Sequence, residues 1–353
     1  MRYYGCKEKL LDFLSEGVAK TGINSGAIFC DLFSGTTTVA RYFKKKGYTV
    51  YANDFLEFSY ALARAYIKNN SNPGFSGLKR IVVGLNGSKY NINLVIDYLN
   101  RLSPIKGFIY SNYCPSGTKH LDSPRQYFSD NNAGKIDTIR TEIQEWKDKS
   151  LITSDEFYVL LASLIEAVPY VANISGNYAA YLKHWDPRAL KTITLQVPEI
   201  PESIRKNKAY KSDANELIKN ISCDILYLDP PYNERQYAPN YHILETITKW
   251  DKPNINGVTG MRPYGEQKSA FCQKNIVTTA FNAIVNDAKT KFILLSYNDE
   301  GIMSEQQIVN ILSQRGKVEI FRKAYRRYRS INQDNTDPRT VYEKLYFAKV
   351  SKG

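Results

Sequence analysis

The sequence has 353 residues, 43% of them apolar, and a net charge of +13 from 48 lysines and arginines against 35 aspartates and glutamates. The apolar fraction supports a packed core and excludes a wholly disordered chain, and at roughly 150 residues per domain the length fits one large domain or two smaller ones. The basic excess points to a polyanionic partner, most often nucleic acid.

The N-terminal stretch "MRYYGCKEKLL" lacks the apolar centre of a signal peptide, which predicts a cytoplasmic protein. No apolar run approaches the length of about 18 residues that a membrane helix needs, so no membrane partner is expected. "AIFCDLF" (27–33) reads as a buried strand between Gly26 and Gly35. "TTTVARYFKKKG" follows with helical spacing, placing Val39, Tyr42 and Phe43 on one face before Gly47 stops it. "YTVYANDF" reads as a second strand, completing a unit the size of one βαβ crossover.

From about Gly74 to Ser203 the strand signature is absent. "KIDTIRTEIQEW" is a helix candidate. "TSDEFYVLLASLIEAVPYV" is a clear one: Thr153 and Glu156 form a capping-box pattern, and Phe157, Leu160, Leu161, Leu164, Ile165 and Val168 make one apolar stripe. "CDILYLDPP" and "KFILLSY" read as later buried strands, and "KVEIFRKAYRRY" with "VYEKLYFAKV" as a closing antiparallel pair. The expected fold is therefore α/β, with a mostly parallel sheet and a partly helical insertion. The catalytic region would be 1–75 with 204–353, and the insertion 76–203.

Cys6, Cys30, Cys114, Cys223 and Cys272 are far apart and never paired as CxxC, so reduced thiols are expected rather than a disulfide framework or zinc site. His120, His184 and His242 are not spaced as a metal cluster, and no metal is expected.

Two constellations carry chemistry. In "DLFSGTTTV", Asp31 ends the first strand and Gly35 occupies the turn before a helix, where backbone N–H groups are unpaired and a ligand can approach. Asp54, at the end of the second strand, is placed to accept hydrogen bonds from ribose hydroxyls. This describes a nucleoside-containing cofactor. The glycine-rich pyrophosphate pattern is absent, because Thr36, Thr37 and Thr38 follow Gly35, so NAD and FAD are disfavoured.

The second constellation is Asp229-Pro230-Pro231-Tyr232, at the carboxyl end of a buried strand, where open α/β sheets bind ligands. The prolines fix φ and cannot continue a sheet ladder. A carboxylate, the Pro230 carbonyl and the Tyr232 ring suit a flat heterocycle bearing an amino group. The exocyclic amine of adenine is a poor nucleophile because its lone pair is delocalised. Two acceptors on its protons favour the pyramidal form that can attack an adjacent methyl sulfonium in line. No strong base is needed, so His242 is not expected to act as one.

These segments resemble the DNA adenine-N6 methyltransferases of type II restriction–modification systems, of the alpha motif order shared by Dam-like enzymes. The resemblance covers nearly the whole chain. "RYYGCKEKLLDFL" resembles the N-terminal cofactor motif, which implies that Tyr4, Gly5 and Lys7 help hold S-adenosylmethionine. "DLFSGTTTV" resembles the main cofactor motif, adding Asp31, Phe33, Gly35, Thr36 and Thr37, and "ANDF" supplies Asp54 as the ribose-binding acid. The same pattern implies Asp213 near the cofactor adenine, although local sequence equally suggests a helix N-cap. "YLDPPYNERQYAPNYHILETI" resembles the catalytic segment, with Asp229, Pro230 and Tyr232 catalytic, Asp229 also against the cofactor, and Arg235 and Tyr237 toward DNA. "RQYFSDNNAGKIDTIR" and "SGNYAAYLKHW" resemble further family segments. The family's second glycine is Thr37 here. A threonine fits that turn if φ stays negative, and weakened rather than lost cofactor binding is the expected consequence.

The implied fold is the Rossmann-like S-adenosylmethionine-dependent type with a target-recognition insertion. The implied partner is duplex DNA with a short specific site, in a setting that admits a cognate restriction endonuclease encoded nearby and association with the nucleoid. The target base must be flipped out of the duplex, costing a few kcal/mol that phosphate and base contacts recover. Lys323, Arg327 and Arg329 share one face of a strand and are expected on phosphate; the alternative is a solvated basic edge strand. Lys183, Trp185 and Arg188 suit groove and backbone contact, unless Trp185 is core.

Other readings retain parts of this picture: adenine methylation of RNA, methylation of the cytosine amine, or a catalytically weak DNA-binding specificity or regulatory protein. Cytosine five-position methylation is disfavoured, because "CPSG" at Cys114 reverses the Pro-Cys order of the nucleophile that it needs.

Overall fold

The computed structural model describes residues 7–85, 91–326 and 340–351. In chain order these form α1 (Leu11–Ala19), β1 (Ile28–Asp31), α2 (Thr38–Lys45), β2 (Thr49–Asn53) and α3 (Glu57–Ala63), which runs into a π-helical turn. Then come α4 (Asn91–Arg101), α5 (Phe108–Tyr113), α6 (Asp130–Asp148) and α7 (Ser154–Val171). The chain closes with β3 (Lys208–Tyr210), α8 (Ala214–Ile218), β4 (Ile225–Leu228), α9 (Tyr237–Asn240), α10 (His242–Lys249), α11 (Val277–Asp287), β5 (Phe292–Asn298), α12 (Glu305–Ser313), β6 (Gly316–Arg326) and β7 (Thr340–Val350).

The strands make one sheet in the order β3-β2-β1-β4-β5-β7-β6. β1 to β5 are parallel, and β7 inserts antiparallel between β5 and β6. The α/β architecture and the closing antiparallel pair therefore match the sequence reading. The short edge strand β3 was not foreseen; three residues carry too little pattern to be read.

The sheet side chains alternate between two apolar clusters, as a strand period of two requires. Phe29, Val50, Ile225, Tyr227, Leu294 and Leu345 face one. Cys30, Leu226, Leu228, Ile293, Leu295 and Tyr346 face the other, under α8, α11 and α12. The first cluster continues without a break into α4, α6 and α7, so the helical segment shares a core with one sheet face. Arg140 on α6 is buried and donates to the Ile247 and Thr248 carbonyls at the end of α10 (2.8 and 3.2 Å), where a cation also suits the helix dipole. The Thr153–Glu156 capping box at the start of α7 forms as expected.

Strand order reverses between β1 and β4. Their carboxyl ends therefore open a crevice, the usual ligand position in such sheets. At the rear, α1 lies close on β7 because position 17 is glycine: a Cβ there would meet the Leu345 side chain at 2.3 Å. That approach brings Lys7, just before α1, to the crevice.

Candidate active site

The crevice is a cleft of about 960 Å3, its open mouth included. Lys7, Asp31, Phe33, Gly35, Thr36, Asp54, Asp213, Asp229, Tyr232 and Tyr237 all line it. The two constellations read from sequence thus share one wall-to-wall site.

The cofactor-type turn is built by Asn53 and Asp54. Gly35 N–H donates to Asp54 Oδ2 at 2.9 Å, and Leu56 N–H to Asp54 Oδ1 at 3.0 Å. Ser34 donates to the Asn53 carbonyl from both its N–H (2.8 Å) and its hydroxyl (3.0 Å). Asn53 Nδ2 donates to the Leu32 and Ser212 carbonyls, both at 3.1 Å, so one amide joins three cleft loops. Sequence reasoning missed Asn53, although it directly precedes the acid that was singled out.

Thr37 corrects an expectation. Its φ is +63°, in the left-handed region, not negative. Glycine adopts that region without penalty, whereas threonine there bears strain. Its side chain is buried and turned from the cleft, donating to the Thr36 carbonyl at 2.6 Å. Thr37 is accordingly absent from the cleft lining.

Asp213 accepts from the N–H groups of Asn215 (2.8 Å) and Glu216 (3.3 Å), capping α8, and it lines the cleft as well. Cap and cleft position coexist. Phe33 meets Phe271 edge-on, 4.9 Å between ring centres, and Ser269 lies beside them. Neither Phe271 nor Ser269 was foreseen, because the 3-10 turn Ala270–Cys272 that Ser269 caps is too short to show a period.

Among the described residues lining the cleft, carboxylates outnumber cations. Asp31 is buried, its Oδ1 has no hydrogen-bond partner among the described residues, and burial together with Asp229 and Asp54 holds its carboxyl well above the usual range. Burial likewise pushes Asp54 and Asp229 up to about 6. The cation among the described lining residues is Lys7, whose Nζ lies 3.2 Å from Asp229 Oδ1 and 2.5 Å from Glu343 Oε1.

Pro231 lines the cleft and Pro230 is buried behind it. His242 is fully buried, bonds the Tyr178 carbonyl through Nε2 at 2.9 Å, and is driven down to about 4 by burial. It does not line the cleft. Tyr178 N–H in turn donates to the Asn240 carbonyl at 2.8 Å, which ties the "SGNYAAYLKHW" segment to the residues after the DPPY corner.

Of the residues expected on DNA, Arg235 is exposed in a shallow depression with Asn177, Asn233 and Asn240, beside Tyr237. Lys183 is exposed and Trp185 half-buried. Arg188 is half-buried and donates to the Ala172 carbonyl at 3.1 Å, with Asp186 at 3.5 Å. Lys323 is half-buried, its Nζ 5.9 Å from the Phe13 ring centre. Tyr4, Gly5, Arg327 and Arg329 lie outside the described residues.

Among the described residues no group of side chains could hold a metal ion, and no helix is long and apolar enough to cross a membrane. Cys30, Cys114, Cys223 and Cys272 are free, buried thiols.

Residues 3–311 match the family model of D12 class N6 adenine-specific DNA methyltransferases. The chain is 46% identical over 350 residues to the type II methyltransferase M.FokI of Planomicrobium okeanokoites, covering 98% of this chain and 52% of that protein. It is 41% identical over 351 residues to the modification methylase StsI of Streptococcus sanguinis, covering 98% and 51%. It thus spans about half the length of these two. Against the type II methyltransferase M.NlaIII of Neisseria lactamica it is 40% identical over 350 residues, covering 98% of each chain.

Proposed function

The chain belongs to the D12 class of N6 adenine-specific DNA methyltransferases, and on that premise we propose that it transfers a methyl group from S-adenosylmethionine to the exocyclic amine of an adenine flipped from duplex DNA at a short specific site. The observation that carries this reading is that the Gly35–Asp54 turn and the Asp229–Tyr232 corner line a single cleft.

The residues fit the cofactor. S-adenosylmethionine carries an ammonium and a sulfonium, and the cleft offers buried carboxylates, one with an unpartnered oxygen on Asp31. Asp54 is held by the Gly35 and Leu56 N–H groups and keeps acceptor capacity for ribose hydroxyls. Phe33 and Phe271 give apolar surface for a flat ring. When bound, the cofactor supplies an electrophilic methyl group.

The protein's own work is positioning. Lys7 engages Asp229 Oδ1, which leaves Oδ2 for one N–H of the target amine. The Pro230 carbonyl takes the other N–H, and Tyr232 stacks on the base. Held by two acceptors, N6 is pyramidal and its lone pair is directed outward. The N6 proton released on methylation needs no strong base, and His242 stays outside the reaction.

Residues 76–203 serve target recognition in this account, with Lys183, Trp185, Arg188, Arg235 and Tyr237 toward DNA. The biological setting is protection within a restriction–modification system. The test is transfer of labelled methyl to duplex DNA, RNA and single-stranded DNA in parallel. Label in adenine of duplex DNA is expected; label confined to RNA would replace the substrate assignment.

A further inference from the structure

We propose that Glu343 is a positioning residue for the transfer reaction, holding the Lys7 ammonium against Asp229 and so fixing the catalytic carboxylate from β7, two strands from β4 in the sheet; this rests on the functional reading above. Glu343 lies on β7, beyond residues 3–311 that match the family model, and it does not line the cleft. It cannot touch substrate and must act through a neighbour.

The geometry supplies that neighbour. Glu343 Oε1 accepts from Lys7 Nζ at 2.5 Å and from Ser296 Oγ at 2.6 Å. Ser296 is buried on β5, so the carboxylate is held from two elements. Lys7 then reaches Asp229 Oδ1 at 3.2 Å. The three charged side chains are 7%, 10% and 17% exposed, so solvent neither screens nor replaces their contacts. A lysine stem has four rotatable carbons and little preference of its own. Without Glu343 the ammonium keeps its contact with Asp229 but loses its anchor to β7 and, through Ser296, to β5, and Asp229 Oδ2 loses its defined direction toward the base.

The groups facing Asp229 are Lys7, Asp31, Tyr227, Tyr232, Tyr237 and Glu343. Lys7 lowers the Asp229 pKa more than Glu343 raises it. Both E343Q and E343L remove the charge that raises the Asp229 carboxyl, so both move the acid limb of activity to lower pH, but only E343Q keeps an acceptor that holds Lys7 in place.

The experiment is steady-state methylation of duplex DNA across pH 5 to 9 for the full chain, wild type, E343Q and E343L, with melting curves for each. E343L is expected to lose about 10²-fold in kcat with KM for DNA little changed, as a misplaced reactive group does. E343Q is expected to retain most of kcat with its acid limb displaced downward. If both variants only melt earlier, with kcat and pH profile unchanged, the proposal is overturned. Should E343L fail to fold, an unmoved acid limb in E343Q alone overturns it. An active wild type with unaltered variants removes this proposal and leaves the functional reading intact; an inactive wild type removes both.

Discussion

Asp31 closes β1 and Asp229 directly follows β4, so two carboxylates end neighbouring parallel strands and line the same cleft. Burial raises both, Asp229 to about 6, and repulsion from Asp229 and Asp54 adds to it at Asp31. A site that gathers such groups at the sheet's switch point is made for a cation. Burying a carboxylate is costly unless a counter-charge arrives.

Cofactor affinity should therefore depend on pH. The Asp31 carboxyl, held well above its ordinary range, attracts a cation only when ionised, so affinity rises as pH rises and that carboxyl ionises. S-adenosylmethionine is expected to bind about tenfold more weakly at pH 5 than at pH 8. Calorimetry should also show proton release on binding at the acid end of that range. An affinity flat across that range contradicts the assignment of Asp31 to the cation.

Thr37 tests the strained turn. A left-handed threonine costs about 1–2 kcal/mol, but its buried hydroxyl bond to the Thr36 carbonyl returns about 1. Thr37→Gly removes both and should leave stability within about 1 kcal/mol of wild type. Thr37→Val keeps the strain and loses the bond, so it should destabilise by about 1–2 kcal/mol in urea melts. Equal melts for the two variants would remove the strain argument.

Arg41 links the cofactor turn to α7. Its Nη2 donates to the Thr36 carbonyl at 3.1 Å and to Glu166 Oε1 at 3.3 Å, with the guanidinium 3.9 Å over the Tyr66 ring. The Arg41–Glu166 pair is about a quarter exposed, so the ion pair itself contributes at most about 1 kcal/mol. The bond to the turn should matter more: Arg41→Met is expected to weaken cofactor binding about tenfold, whereas Glu166→Gln changes it little. A stronger effect from Glu166→Gln would reverse that ranking.

His242 is buried neutral, with its pKa depressed from the ordinary 6.5 to about 4. Stability from this neutral burial is present above pH 6.5 and is lost as pH falls toward 4. The separation corresponds to about 3 kcal/mol. Asp54 and Asp229, whose values are raised, change in the opposite sense over an overlapping window. The difference between wild type and His242→Gln isolates the histidine: the gap should narrow between pH 6.5 and 4 while duplex methylation per folded molecule persists at pH 8. Lost activity in fully folded His242→Gln would make the histidine part of the chemistry.

Much of this was legible in sequence because its signals are local. The apolar runs of β1, β4 and β5, the alternation of β6 and β7, and the Thr153–Glu156 box are each set within a few residues. So was the pairing of Asp31, Asp54 and Asp229 with strand ends. The sign of φ at Thr37 was not, because the turn is fixed by bonds from Ser34 and Asp54 across the cleft. Nor was the Lys7–Glu343 contact, which spans 336 positions of chain without a shared motif. Phe271 and Ser269 reach the cleft from a loop whose placement depends on what it packs against.

In the proposed reaction Asp229 orients an adenine amine in duplex DNA. A map of N6-methyladenine in duplex DNA of broad sequence content, after exposure to wild type or to Asp229→Ala with S-adenosylmethionine, puts this to the test. Modified adenines within one short recurring sequence are expected for wild type and none for the variant. Unmodified DNA from wild type, or equal modification by both proteins, would rule out this role for Asp229.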